Sequence, residues 1–285
     1  MNEAALIGAV DAQAATRFLE RLAAAPAPVT CPVAVVVAHP DDETIGAGVQ
    51  LSRLYDVMIV HATDGAPRNM TDARNAGFGT REAYAAARRR ELEAAMAIAG
   101  IPNDQLHTLD VADQEAPFAL VDISRRLAEL LQTCVIEAVL THPYEGGHPD
   151  HDAICFAVHA AAALIARSGA PPPVIIEMAS YHEGPEGWVY QRFLPASDRT
   201  ELILRLDASQ RALKRHMMDA HSTQRALLRP FTTETERFRQ APPYDFTILP
   251  NGGRLLYESQ DWGMTGDLWR SLATKALSDL RLGAA

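Results

Sequence analysis

The stretch VAVVVAHPDDETIGAG, Val33 to Gly48, decides the fold. Val33 to Ala38 form a short apolar run rich in valine, the pattern of a strand buried on both faces. The run stops at His39, and Asp41, Asp42 and Glu43 follow almost at once. Carboxylates set side by side repel and raise one another's pKa. A fold gains nothing from such a cluster at the end of a buried strand unless something positive meets it there.

Working outward, apolar runs alternate with helical patterns. A helix through Leu51 and Leu54 follows the first strand, and Val57 to His61 read as a second. A Gly-, Asp- and Asn-rich loop from Thr63 to Thr80 leads into a long helix over REAYAAARRRELEAAMAIAG. Leu106 to Leu109 make a weak third strand, VIEAVL a fourth and PVIIEMAS a fifth, with helices between them. This alternation predicts an α/β, Rossmann-like open parallel sheet of about five strands in the order 3-2-1-4-5, flanked by helices in a single domain. Residues 1–30 read as an N-terminal helical extension, with Leu6, Val10, Ala14, Phe18 and Leu22 on one face. Residues 31–285 form the main domain. Its pattern weakens past Leu206: helices are expected over ASQRALKRHMMDAH and TQRALLRPF, and an irregular tail from Thr232.

The totals bound the partners. The 285 residues are 48% hydrophobic and 22% charged, with 36 acidic against 26 basic side chains. That acidic balance argues against a nucleic-acid partner, and the Arg88 to Arg90 run reads as a solvated helix turn. Lys214 and Lys275 are the only lysines, which leaves little for Schiff-base chemistry. Cys31, Cys134 and Cys155 form no CxxC pair and no disulfide framework. The N-terminus lacks a basic start followed by a clean apolar region, and no run is long enough for a membrane span. The expectation is a cytoplasmic protein, with a homo-oligomer left open.

In the predicted sheet the first and fourth strands flank the point where strand order reverses, the place where open parallel sheets bind ligands. The fourth runs into THPYEGGHPDHDA, Thr141 to Ala153, so two polar clusters share one edge. His39, Asp42 and His151 make a zinc set of two imidazoles and a carboxylate with a position left for water, and the cation answers the crowded acids. Asp41 is then free to act as general base. Asp150 is placed to orient an imidazole, and His148 to face substrate. Gly46 and Gly48 do not make a dinucleotide loop, because Leu51 stands where GxGxxG needs its third glycine. Glu43 reads as a residue favoured by a helix N-terminus. His142 lies near the metal in sequence, and His61, His107, His159 and His216 read as structural or surface residues.

These residues resemble a known family. AHPDDE after one strand and HPDH after a later one are similar to the motifs of the PIG-L/LmbE-like zinc deacetylases, in the same order. RRELEAAMAIAGI resembles the family's usual helix, and AHSTQ, Ala220 to Gln224, an element near its C-terminus. The resemblance implies His39, Asp42 and His151 as metal ligands and Asp41 as general base. It also implies His148 for protonation or oxyanion stabilisation, and Asp150 as the orienting carboxylate. A tyrosine that some members carry beside HPDH is absent, with Gly146 and Gly147 in the gap after Tyr144 and Glu145. The implied reaction is hydrolysis of an N-acyl group, foremost an N-acetyl on an amino sugar or related conjugate, by a zinc-activated water. The alternatives are a metal-dependent hydratase of an unsaturated carboxylic acid and a metal-bearing binding protein without turnover. Asp64, Arg68, Tyr144 and His182 are the candidate substrate contacts, and Tyr181 and Trp188 candidate pocket walls.

Overall fold

Successive side chains of a strand point to opposite faces, and the first strand shows what that does here. A computed structural model of the chain describes residues 11–195, 200–260 and 262–283. Strand β1 (Val29–Val37) sends Val33, Val35 and Val37 into one apolar layer and Ala34 and Val36 into the other. Both layers are fully buried, so an uninterrupted apolar run is what the position requires. One layer is filled by helices α1 (Ala12–Ala23), α4 (Arg81–Ile98) and α7 (Ala208–Ala220), through residues such as Phe18, Leu92 and Met217. The other is filled by α5 (Leu120–Thr133), α6 (Pro149–Arg167) and α9 (Gly266–Asp279), through Leu127, Phe156 and Trp269.

The parallel strands are β1, β2 (Leu54–Pro67), β3 (Leu106–Asp113), β4 (Ala138–Thr141) and β5 (Val174–Met178). Their order is β3-β2-β1-β4-β5, as the alternation predicts. The sheet continues past β5 with two antiparallel strands, β9 (Thr235–Gln240) and β8 (Leu202–Arg205). A separate hairpin joins β6 (Tyr181–Gly184) to β7 (Gly187–Tyr190). Helix α2 (Asp42–Leu51) follows β1, and the short helices α3 (Thr71–Asn75) and α8 (Arg225–Leu228) lie in connections. Among the described residues no helix is long and apolar enough to cross a membrane.

Several expectations change. The tail from Thr232 is not irregular: it supplies β9 and α9. In β9 the buried positions include Glu236 and Arg239, each paired with an opposite charge, so no apolar alternation announces the strand. The helix expected over TQRALLRPF is the four-residue α8 after a short 3-10 turn. Strand β2 runs on to Pro67 through Thr63 and Gly65, and β3 runs on to Asp113, the two pairing with shifts in register. Gly65 has φ +61°, and a Cβ there would stand 2.8 Å from the Arg88 guanidinium carbon. Ala14, Phe18 and Leu22 lie on α1, where Ala15, Phe18 and Leu22 are its buried residues; Leu6 and Val10 lie outside the described residues.

Candidate active site

The end of β1 and the start of α2 form one tight turn. Asp41 takes φ 137°, a conformation an L residue adopts only when its surroundings hold it there. Glu43 supplies much of that hold. It is completely buried, accepts the Asp41 N–H at 3.1 Å and the Thr44 hydroxyl at 2.7 Å, and lies 2.9 Å from His61 Nε2. Burial works against its charge, but the contact with His61 prevails and its carboxyl sits at about 2. Glu43 is therefore more than a helix-start residue, and His61 is its partner.

Asp42 is where the two strand ends meet. Its Oδ2 accepts the His39 N–H at 2.7 Å and lies 3.3 Å from His39 Nδ1. Its Oδ1 lies 3.2 Å from His151 Nε2, at the first turn of α6 after β4. Burial opposes ionisation of Asp42, yet the charges of His151 and His142 hold its carboxyl well below the usual range. The far nitrogens of both imidazoles are anchored. His39 Nε2 lies 3.1 Å from Asp113 Oδ1 and 3.2 Å from Asp150 Oδ2, and His151 Nδ1 lies 3.3 Å from Ser180 Oγ. His151 Nε2 is buried and has no hydrogen-bond partner. Imidazoles fixed by one nitrogen, with the other turned to a shared carboxylate, are the arrangement metal-ligating histidines adopt. Among the described residues, donor atoms of His39, His148 and His151 lie within 4.8 Å of one another, as do those of Asp42, His142 and His151. His142 Nε2 already accepts the Ala38 N–H at 3.0 Å, and its ring stacks on His151 with centroids 3.9 Å apart. The cluster is fit to hold a metal ion.

Asp41 faces elsewhere. Its Oδ2 takes a hydrogen bond from Arg88 Nη2 at 3.2 Å, while the same guanidinium donates to the carbonyls of Pro40 and Gly65. Burial drives the Asp41 carboxyl up to about 8 against the opposing charge of Arg88. His148 caps α6, its Nδ1 accepting the Asp150 N–H at 3.1 Å. The imidazole that the Asp150 carboxylate contacts is His39, and Asp150 also accepts the N–H groups of Gln114 and Ala116. Asp113 was not legible as a site residue, because it stands beyond the expected end of the third strand. Burial opposes its charge, but His39 holds its carboxyl below the usual range. Gly147 lets this loop close on the neighbouring hairpin, since a Cβ there would lie 2.1 Å from the Tyr181 carbonyl oxygen.

A probable N-acetyl-alpha-D-glucosaminyl L-malate deacetylase 2 of Bacillus anthracis is 32% identical over 164 residues, 54% of this chain and 70% of that one. Residues 34–162 match the family model described as PIG-L, GlcNAc-PI de-N-acetylase. The chain belongs to the PIG-L family. The PIG-L match contains both strand-end motifs and stops inside α6, so β8, β9, α7 and α9 lie beyond it. Solved structures share the PIG-L fold. A deacetylase from the biosynthesis pathway of teicoplanin superimposes with TM-score 0.58 at 14% identity, covering 76% of this chain and 99% of that one. An N,N'-diacetylchitobiose deacetylase from Pyrococcus horikoshii gives TM-score 0.51 at 21% identity, covering 77% and 87%.

A cavity of about 360 Å³ opens over the cluster, lined by His39, Asp41, Asp42, Asp113, His148 and His151 among others. The four expected substrate contacts do not line it. Asp64 pairs with Arg81, and Arg68 with Glu115. The Tyr144 hydroxyl accepts from Trp269 Nε1 at 2.6 Å and donates to the Ile248 carbonyl, so it belongs to the aromatic core. His182 is buried in β6, with Nδ1 3.1 Å from the Glu183 carbonyl. Tyr181 and Trp188, named as pocket walls, do line it, with Gln224 from the AHSTQ element, Asp72 from the Thr63 to Thr80 loop, and Trp262 from a segment whose sequence carried no signal of it.

Proposed function

We propose that this PIG-L chain is a zinc-dependent N-deacetylase, an amide hydrolase that removes an N-acetyl group from an amino sugar or a related conjugate. The observation that carries the reading is the division of labour between neighbouring acids: Asp42 joins His39 and His151, while Asp41 is held apart by Arg88. His39, Asp42 and His151 would hold the cation; two imidazoles and a carboxylate suit zinc and also accept other divalent transition metals. A cation bound there supplies Lewis acidity, acidifying a ligated water and polarising an acyl oxygen.

The remaining work falls to the chain's own side chains. Asp41 accepts the proton of the attacking water at a carboxylate oxygen and holds it. His148, whose Nδ1 accepts the Asp150 N–H and which lines the same cavity, stabilises the developing oxyanion by donating from Nε2–H. The proton held on Asp41 passes to the departing amine, which is a poor leaving group until protonated. Asp150 and Asp113 fix the His39 ring from behind. The curated relative's name supports the acetamido sugar as substrate class. A hydratase for an unsaturated carboxylic acid calls for arginines lining the pocket. Among the described residues the lining holds one guanidinium, Arg88, already engaged by Asp41 and two carbonyls.

The test pairs metal content with turnover. Asp41→Asn is expected to lower acetate release from N-acetylglucosamine conjugates by roughly 10²–10⁴-fold while zinc stoichiometry stays at the wild-type level. His151→Ala is expected to lose both. Equal loss of metal from the two variants would refute separate roles for the adjacent acids, and retained turnover in Asp41→Asn would refute its role as base.

A further inference from the structure

Much of the cavity lining that the chemistry does not use is apolar and aromatic. Trp188 and Tyr190 are two apart on β7, and Tyr181 pairs with Tyr190 across the hairpin, so all three project from one face. Their rings form a ladder: Tyr181 to Trp188 centroids are 5.4 Å apart and Trp188 to Tyr190 5.7 Å, both stacked. The inner rung, Tyr181, lies 5.2 Å from the His151 ring, so the ladder starts at the cluster. Its outer part is open, with Trp188 41% and Leu227 of α8 64% exposed, and both line the cavity mouth. A single exposed leucine is ordinary. An exposed tryptophan and leucine continuous with a catalytic cavity form a surface waiting for an apolar group.

The charges of the same lining offer no partner to one class of occupant. Asp41, Asp42, Asp72 and Asp113 face Arg88 alone among guanidinium and ammonium groups of the described lining, and Arg88 is buried and engaged by Asp41. Apart from the cation that His39, Asp42 and His151 would hold for the acyl group, an anionic appendage on the sugar finds no free cationic side chain among the described lining residues, so this lining gives it no partner to gain affinity from.

Resting on the N-deacetylase reading above, we propose that the amino sugar reaches this site as the glycoside of an uncharged apolar aglycone, aryl or alkyl, received by Trp188, Tyr190 and Leu227. The malate conjugate in the curated relative's name, a dicarboxylate, is then a poor ligand here. The apolar group belongs to the aglycone side because the acyl group in that name and in the family description is a plain acetyl.

Affinity measured by calorimetry tests this without turnover, using the full chain carrying Asp41→Asn. The probes are the methyl, phenyl, octyl and L-malate glycosides of N-acetylglucosamine, and the methyl glycoside of N-octanoylglucosamine. Phenyl and octyl N-acetyl glycosides are expected to bind at least tenfold tighter than methyl, and the malate glycoside no tighter than methyl. Trp188→Ala is expected to remove at least fivefold of that advantage. Leu227→Asp is expected to do the same from an exposed position where folding is not at stake. Equal affinity for methyl and phenyl glycosides, tightest binding of the malate glycoside, or a larger gain from the N-octanoyl chain would each overturn the assignment. Acetate release by the unsubstituted chain is read separately: an apolar preference without any release upholds the aglycone surface and removes the deacetylase chemistry.

Discussion

Asp113 is placed to act on the candidate site through a neighbour, His39. It shares His39 Nε2 with Asp150, and the two carboxylates fix the ring so that Nδ1 turns to Asp42. Partners of this kind set the tautomer and orientation of a ligand, and removing one commonly costs 10–100-fold in metal affinity. Asp113→Ala is therefore expected to weaken zinc binding by roughly 10–100-fold, read by competition with a chelator, with the protein still folded. Asp150→Ala is expected to lose more than Asp113→Ala, because the Gln114 and Ala116 N–H groups lose their acceptor as well. If the two variants bind zinc as the parent does, the ring is held by something else. Of the site, His39, Asp41, Asp42, His148, Asp150 and His151 were legible in the sequence because each sits inside a short motif at a strand end. Asp113 carries no motif, and its proximity to His39 arises only from the register between β2 and β3.

At the scale of elements, the break in α2 needs an explanation. Ala47 leaves helical geometry at φ −140°, which frees the Ile45 carbonyl and the Val49 N–H inside the protein. Lys214 of α7 donates to the first at 2.7 Å, and Glu236 of β9 accepts from the second at 2.9 Å. The two side chains, both fully buried, close the arrangement with a 2.9 Å ion pair. Removing one partner of such a pair leaves an uncompensated buried charge. Lys214→Met is accordingly expected to destabilise the fold by about 3–5 kcal/mol, seen as a lower urea midpoint with an unchanged slope. A midpoint equal to the parent's would show that the charge is solvated or that α2 re-forms without it. The motif AHPDDE announces the start of α2, but nothing in it announces the break. The partners that make the break tolerable are a lysine and a glutamate from segments whose patterning is weak.

For the whole molecule, the edge between the parallel strands and the antiparallel extension is charged rather than oily. Arg239 of β9 donates to Glu177 of β5 at 2.6 Å and to Glu145 at 3.1 Å, so one guanidinium serves two buried carboxylates. Burial pushes Glu145 up to about 8, with Arg239 only partly offsetting it. The folded chain thus keeps a proton on Glu145 that the unfolded chain gives up near its ordinary value of 4.5. The resulting stability is present in full below about 4.5 and is lost as pH rises through about 8. Glu145→Gln is expected to flatten the fall of the urea midpoint across that window. An identical pH profile in the variant would assign the fall to another group.

What the sequence determined by itself was local and periodic. The apolar run before His39, its repetition ahead of HPDH, and the helices between them set the alternation, and alternation together with handed crossovers set the order of the five parallel strands. The two motifs named their own residues. Tertiary structure alone decided which far segments come to the same place. The antiparallel strands β8 and β9, the closing helix α9, the carboxylate at the end of β3 and the aromatic ladder of the hairpin all depend on contacts between distant residues. The physical reason is that a buried charge or an exposed ring is made stable or useful by its partner, and no window of the chain contains that partner. Glu236 looks like a surface residue until Lys214 is beside it, and Leu227 like an ordinary exposed leucine until the cavity is.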